Sequence, residues 1–173
     1  MNIPAIIQQL RTYCPTLKVV GGAADYERAS RDTFGQVPAA YVIPRADDAS
    51  PNEDQTQLQQ RVLESFGVIL VLDNTPDRRG QTSTTSVESM KYEVHGALLN
   101  WRMDPTRTAR GLWYDGGHMV DLDGARLFWE MVYTSEIFIT EADGFQPDGD
   151  PLLHIEGHTP DDICNFDTAL PQS

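Results

Sequence analysis

The chain has 173 residues, 40% of them hydrophobic, and carries 13 basic against 26 acidic side chains. That length suits one core, the hydrophobic fraction excludes wholesale disorder, and a net charge of -13 excludes a general phosphate-neutralising surface. Residues 1–110 sum to -1, while residues 111–173, with Arg126 as their one base, sum to -12. This acidic third suits a solvated face, a surface that docks a neighbour, or a wall that repels DNA. Cys14 and Cys164 lie near opposite ends, as expected of a reduced protein of the cytoplasm. The N-terminal stretch has no basic start, and the apolar run at 66–72 is too short to span a bilayer, so neither export nor a membrane partner is expected.

In chain order, Ile3, Ile6, Ile7, Leu10 and Cys14 recur at helical spacing, which predicts a helix over about 3–14, capped by Asn2 and stopped by Pro15. TLKVVGG reads as a short strand, AADYERA as a turn or short helix, and PAAYVIP at 38–44 as a strand held between prolines. The polar run 45–56 is expected to be a surface loop that orders on assembly. QLQQRVLESFGVILVLDN then alternates as a long strand, wetter at Glu64 and Ser65 and covered on both faces at its end.

Residues 73–80 form a turn or loop carrying Arg78 and Arg79. Val87, Met90, Val94, Ala97, Leu98 and Trp101 make one stripe of a helix over 84–101, capped by Thr85 or Ser86, in which Gly96 suggests close packing. GLWYDGG, HMVDLD and GARLFWEMVYTSEIFITEA follow as three extended pieces. Asp115-Gly116-Gly117 and Asp123-Gly124 are read as the turns of an antiparallel meander. In the last piece Leu127, Trp129, Met131, Tyr133, Ile137 and Ile139 share one face, and Glu130, Thr134, Glu136 and Thr140 the other. From about 145 the pattern fades into an acidic tail with scattered apolar anchors. The order predicts an α+β fold: a single domain over 1–144, its mixed or mostly antiparallel sheet covered on one side by two helices, and a C-terminal extension over 145–173.

No pattern of residues points to catalysis. His154 and His158 lack the zinc-hydrolase order, Asp115, Asp121 and Asp123 suit a hairpin better than a calcium loop, and Gly21-Gly22 and Gly116-Gly117 are not phosphate loops. Cys14 reads as a small buried hydrophobe and His95 as a half-buried or interface residue. No catalytic, cofactor or metal site is therefore expected. The chemistry left is that of contacts, with the rings of Trp101, Trp113, Tyr114, Phe128, Trp129 and Tyr133 concentrated around the last strands.

Tyr41-Val42-Ile43-Pro44, the polar loop, and residues 59–68 together resemble the central part of the phage tail terminator family. The similarity continues through 74–80, Leu98-Leu99-Asn100-Trp101, residues 112–117, Leu122-Asp123-Gly124 and Leu127-Phe128-Trp129, covering most of 3–140. The resemblance implies an α+β subunit of a six-membered ring at the head-proximal end of the virion tail, assembled in the host cytoplasm. Its implied partners are further copies of itself, the tail tube protein and a head-completion or neck protein, with double-stranded DNA only passing through. The loops at 45–57 and 73–83 are the expected contact faces. Candidate interface residues are Asp47, Asp48, Glu53, Asp54, Arg61, Glu64, Arg78, Arg79, Trp113, Tyr114 and Trp129. A head-to-tail adaptor or neck ring is the neighbouring alternative; a small metal- or ligand-binding enzyme is the alternative of another class.

Overall fold

The structure, a computed structural model, describes residues 1–31, 36–73, 82–122, 126–146, 154–157 and 166–169. Two compact units are formed, Met1–Glu141 and Ala142–Ser173. The first is an α+β domain built on a five-stranded mixed sheet in the order β1-β2-β3-β5-β4. Its strands are β1 (Val19–Gly22), β2 (Ala39–Ala49), β3 (Gln59–Asp73), β4 (Trp113–Leu122) and β5 (Arg126–Thr140). Its helices are α1 (Ile3–Tyr13), α2 (Ala23–Arg31) and α3 (Thr82–Leu98). Among the described residues of this sheet only the β1–β2 pairing is parallel.

The centre of the sheet is the antiparallel ladder of β3 and β5, paired without a break from Gln59↔Thr140 to Asp73↔Arg126. Side chains on a strand alternate between faces, so this register puts Phe66, Val68 and Leu70 beside Tyr133, Met131 and Trp129 on one face. Helices α1 and α3 cover that face, contributing Ile6, Leu10, Val87, Met90, Val94 and Leu98 to a single core. Each fully buried aliphatic or aromatic side chain stabilises the fold by roughly 1.5–3 kcal/mol. Phe66 and Tyr133, neither exposed at all, are stacked cross-strand partners with ring centroids 5.7 Å apart.

Helix α1 follows its sequence signals closely. The Asn2 carboxamide oxygen accepts from the Ala5 amide at 3.1 Å, Pro4 sits in the first turn, and Cys14 lies buried just past the end. AADYERA resolves into a helix, α2, which lies on the opposite face of the sheet. There Tyr26 and Ala29 pack on a smaller cluster of Ala39, Tyr41, Ile69, Val71 and Phe128. Helix α3 runs from Thr82 to Leu98 instead of 84–101, so Thr85 and Ser86 fall inside it and are not its cap. Asn100, at φ 61°, ends it in the left-handed conformation that Asn tolerates best after Gly.

Several expectations are corrected. β2 continues through Pro44 to Ala49, with a bulge at Arg45, so the loop shrinks to 50–58. Pro44 is accommodated because β1 pairs only with Ala39–Val42, leaving the outer side of the later β2 residues without a ladder to break. GLWYDGG and HMVDLD are one strand: Asp115 and Val120 are register irregularities, and Asp115-Gly116-Gly117 is not a turn. The expected turn at Asp123-Gly124 lies outside the described residues. In the second unit, where no pattern was expected, β6 (His154–Gly157) and β7 (Phe166–Ala169) pair antiparallel.

Gly96 was expected to mark close packing, yet a Cβ added there would meet nothing within 4 Å. Gly96→Ala is therefore expected to stabilise the domain by about 0.5–1 kcal/mol, read as an increased urea midpoint, because Ala costs the helix less entropy. His95 accepts or donates at 2.9 Å to the Tyr133 hydroxyl and meets the Tyr114 ring edge-on at 4.7 Å. Burial, with Lys91 nearby, holds its pKa below the ordinary value. The unfolded chain thus takes up this proton first as pH falls, and stability declines from about pH 7 downward through the depressed folded value. Thermal midpoints between about pH 7.5 and about pH 5.5 should fall less for His95→Gln than for the parent chain; equal slopes would remove His95 as a contributor.

Candidate functional site

The polar face of β3 and β5, away from α1 and α3, is the chemically distinctive part of the domain. Glu130 and Glu136 stand on it six residues apart in β5, about 20 Å along the strand. Their side chains are only 10% and 12% exposed, while the arginines over them, Arg45, Arg61 and Arg110, are 43%, 43% and 59% exposed. Arg45 Nε lies 3.4 Å from Glu130, and His118 Nε2 lies 3.5 Å from its other oxygen, so one carboxylate ties β2, β5 and β4 together. Arg110 Nε lies 2.8 Å from Glu136 and its guanidinium stacks 4.1 Å over the Trp113 ring. Arg61 reaches Glu136 at 3.9 Å and Glu53 at 3.4 Å, although its Nε lacks the alignment of a hydrogen bond. The acids lie beneath and the cations above, so the surface presents guanidinium edges outward.

At one end of the sheet the β2–β3 hairpin, its β3 arm paired with β5 as far as Gln59, carries the loop 50–58 as a prong. Its loop is held by its own side chains: Asn52 donates to the carbonyls of Asp54 and Gln57 at 2.6 and 2.9 Å and accepts from the Gln59 amide at 2.7 Å. Asp54 accepts from the Thr56 amide and hydroxyl at 2.7 and 2.8 Å, and those bonds hold its carboxyl below the usual carboxylate range. Side-chain caps of this kind fix a turn without any core beneath it.

The sequence candidates divide between two faces. Arg61, Glu53 and Trp113 gather with Glu136 and Arg110 on the open face, while on the hairpin Asp47 and Asp48 are exposed and Asp54 is half-buried. Glu64 lies apart, 7% exposed on the helix-covered side, where it receives the Met1 amino group at 2.6 Å. Tyr114 joins His95 and Tyr133 on that same face, and Trp129 is half-buried there with Lys91 Nζ 5.2 Å from its ring centre. Arg78, Arg79 and most of the 73–83 loop lie outside the described residues.

Sequence reasoning placed Glu130 and Glu136 on the polar face but missed that they are covered, and it missed Arg45 and Arg110 as their partners. The available signal was a short one: two acids with even spacing on a strand whose other residues are mostly apolar. Cys14 is buried and its thiol is pushed up to about 12, first by burial and then by Glu93, so it is held as a thiol. Among the described residues no group of three or more His, Cys, Asp or Glu is arranged to hold a metal ion.

Gly67 is the floor of this face. A Cβ there would run into the Glu130 carboxylate, which is fixed between Arg45 and His118. Gly67→Ala is expected to destabilise the domain by about 1–3 kcal/mol, as overpacking does, measured by urea unfolding; a neutral result would mean that Glu130 is free to move aside.

No curated protein matches the chain. One similar solved structure is a chain described as "Virion of native gene transfer agent (GTA) particle", 17% identical, covering 79% of this chain and 93% of that chain with a TM-score of 0.47. The family model described as "Phage tail terminator protein" matches residues 1–143, which is the whole α+β domain. The chain therefore belongs to the phage tail terminator family and is a structural protein of a bacteriophage tail.

Proposed function

We propose that copies of this chain close into a six-membered ring on the last ring of the tail tube. The ring ends tube polymerisation and offers its other side to a head-completion or neck protein. The family match over residues 1–143 carries this reading. The geometry supports it in a particular way: the prong is ordered by its own hydrogen bonds, so docking it costs little ordering entropy. A rigid prong of this kind suits repeated contact with an identical partner around a ring.

Termination follows from asymmetry. A ring with one side complementary to the tube and another that recruits no further tube ring stops the stack. The hairpin loop at 50–58 is the proposed tube contact, since it carries Glu53 and Asp54 at the tip of the prong. The acids of residues 111–173 are proposed to line or flank the channel, where like charge keeps passing DNA from adhering. The chain acts in the virion, at the head-proximal end of the tail, after assembling in the host cytoplasm. Its role is one of contact and not of catalysis.

Native mass spectrometry of the purified chain, alone and after mixing with tail tubes, tests this reading. The expected result is a particle of six copies, and electron micrographs with it bound at one end of each tube. A chain that stays a monomer in both settings, or that binds along the tube walls, would be incompatible with a terminating ring.

A further inference from the structure

The register of the sheet places two oppositely charged edges at the same height. Asp48 pairs with Leu63, Leu63 with Glu136, and the Glu136 carbonyl accepts from the Ala109 amide at 3.1 Å. The next row runs Ala49, Val62, Ile137 and Thr108. Across about 14 Å of sheet, three inter-strand steps, the hairpin stem therefore lies level with the segment 102–110 on the far side. That segment carries Arg102, Arg107 and Arg110 against Asp104 alone, all four exposed. The stem and its loop, residues 46–54, carry Asp47, Asp48, Glu53 and Asp54 and no base.

The nearest cations do not neutralise the acidic edge. Arg45 is turned to Glu130 and Arg61 to Glu53 and Glu136, and neither Asp47 nor Asp48 forms an ion pair among the described residues. On the basic edge, Arg110 spends its Nε on Glu136, and its terminal nitrogens meet no acceptor among the described residues. Arg102 makes one long bond, 3.4 Å, to the Ala109 carbonyl. Guanidinium groups with free terminal nitrogens are suited to carboxylates. The outer sides of Ile43–Ala49 and of β4 also lack a partner strand among the described residues.

We propose that copies of this chain join side by side, the Arg102 and Arg110 edge of one against the Asp47 and Asp48 edge of the next. This rests on the ring reading above and specifies its subunit contact. Two different patches on opposite edges make a head-to-tail contact, the type that closes rings, and equal height keeps successive copies in one plane. Exposed ion pairs add little affinity singly, so their part is to select the neighbour and fix its height.

A charge swap tests this. Arg102→Glu/Arg110→Glu and Asp47→Arg/Asp48→Arg are each expected to remain monomeric, because the two edges that meet then carry net charge of the same sign. Mixed in equal amounts they are expected to form a six-membered particle with three copies of each, since alternating copies restore one native and one inverted contact. A parent chain that forms no ring defeats both this contact and the ring reading. A parent ring with both variants still closing alone, or a mixture that stays monomeric although both melt cooperatively, defeats this contact only.

Should the double Arg variant misfold for want of a cation over Glu136, Arg110→Lys keeps that charge and supplies an amine. Carbodiimide treatment of mixed isotopically labelled and unlabelled copies should then couple Lys at 110 to Asp47 or Asp48 between copies. Coupling confined to Glu136 of the same copy would overturn the contact. So would retention of labelled duplex DNA that is lost in the Arg variants while the ring persists, because the edge would then be reading phosphate.

Discussion

The fifteen-residue ladder between β3 and β5 sets the position of nearly everything else in the domain. A shift of one residue would exchange the faces of a strand, turning Phe66, Val68 and Leu70 to water and burying Arg61 and Leu63 under the helices. The apolar set facing α1 and α3 excludes that slip. The same register then has a second effect, because it lifts Glu130 and Glu136 onto the opposite face, where only part of the sheet is covered by α2.

Carboxylates on a half-covered sheet face are expensive unless a cation meets them. Here the cations come from three separate places, Arg45 from β2, Arg61 from β3 and Arg110 from the approach to β4, with the His118 ring of β4 set beside Glu130. Each pair thus also acts as a cross-strand tie. Because the arginines are long and stand above the acids, the charge balance is layered, and their outer nitrogens face solvent. The same pairs that make the acids tolerable also give this face its outward guanidinium groups.

The prong obeys a different rule. Residues 50–58 bury little and still have a defined shape, because Asn52 and Asp54 supply hydrogen bonds that a core would otherwise have to replace. By composition alone a polar run reads as a segment waiting for a partner. Its composition is the same in both cases; what differs is whether the side-chain acceptors reach amides two to seven residues away.

Much of the architecture was legible in the one-dimensional pattern, since period and capping are local properties. Asn2, Ile6 and Leu10 announce α1, and the alternation at 62–72 and 127–139 announces β3, β5 and the faces they bury. Resemblance over 3–140 also pointed to the family. What tertiary structure decided was everything that depends on distance between segments. Glu64 reads as a wet strand residue, yet the fold closes over it and brings the Met1 amine to it. Trp113 and Trp129 read alike as rings near the last strands, yet they fall on opposite faces, one under Arg110 and one beneath Lys91. Local pattern fixes which way a side chain points along its own strand; only the pairing of strands decides which charge waits on the neighbouring one.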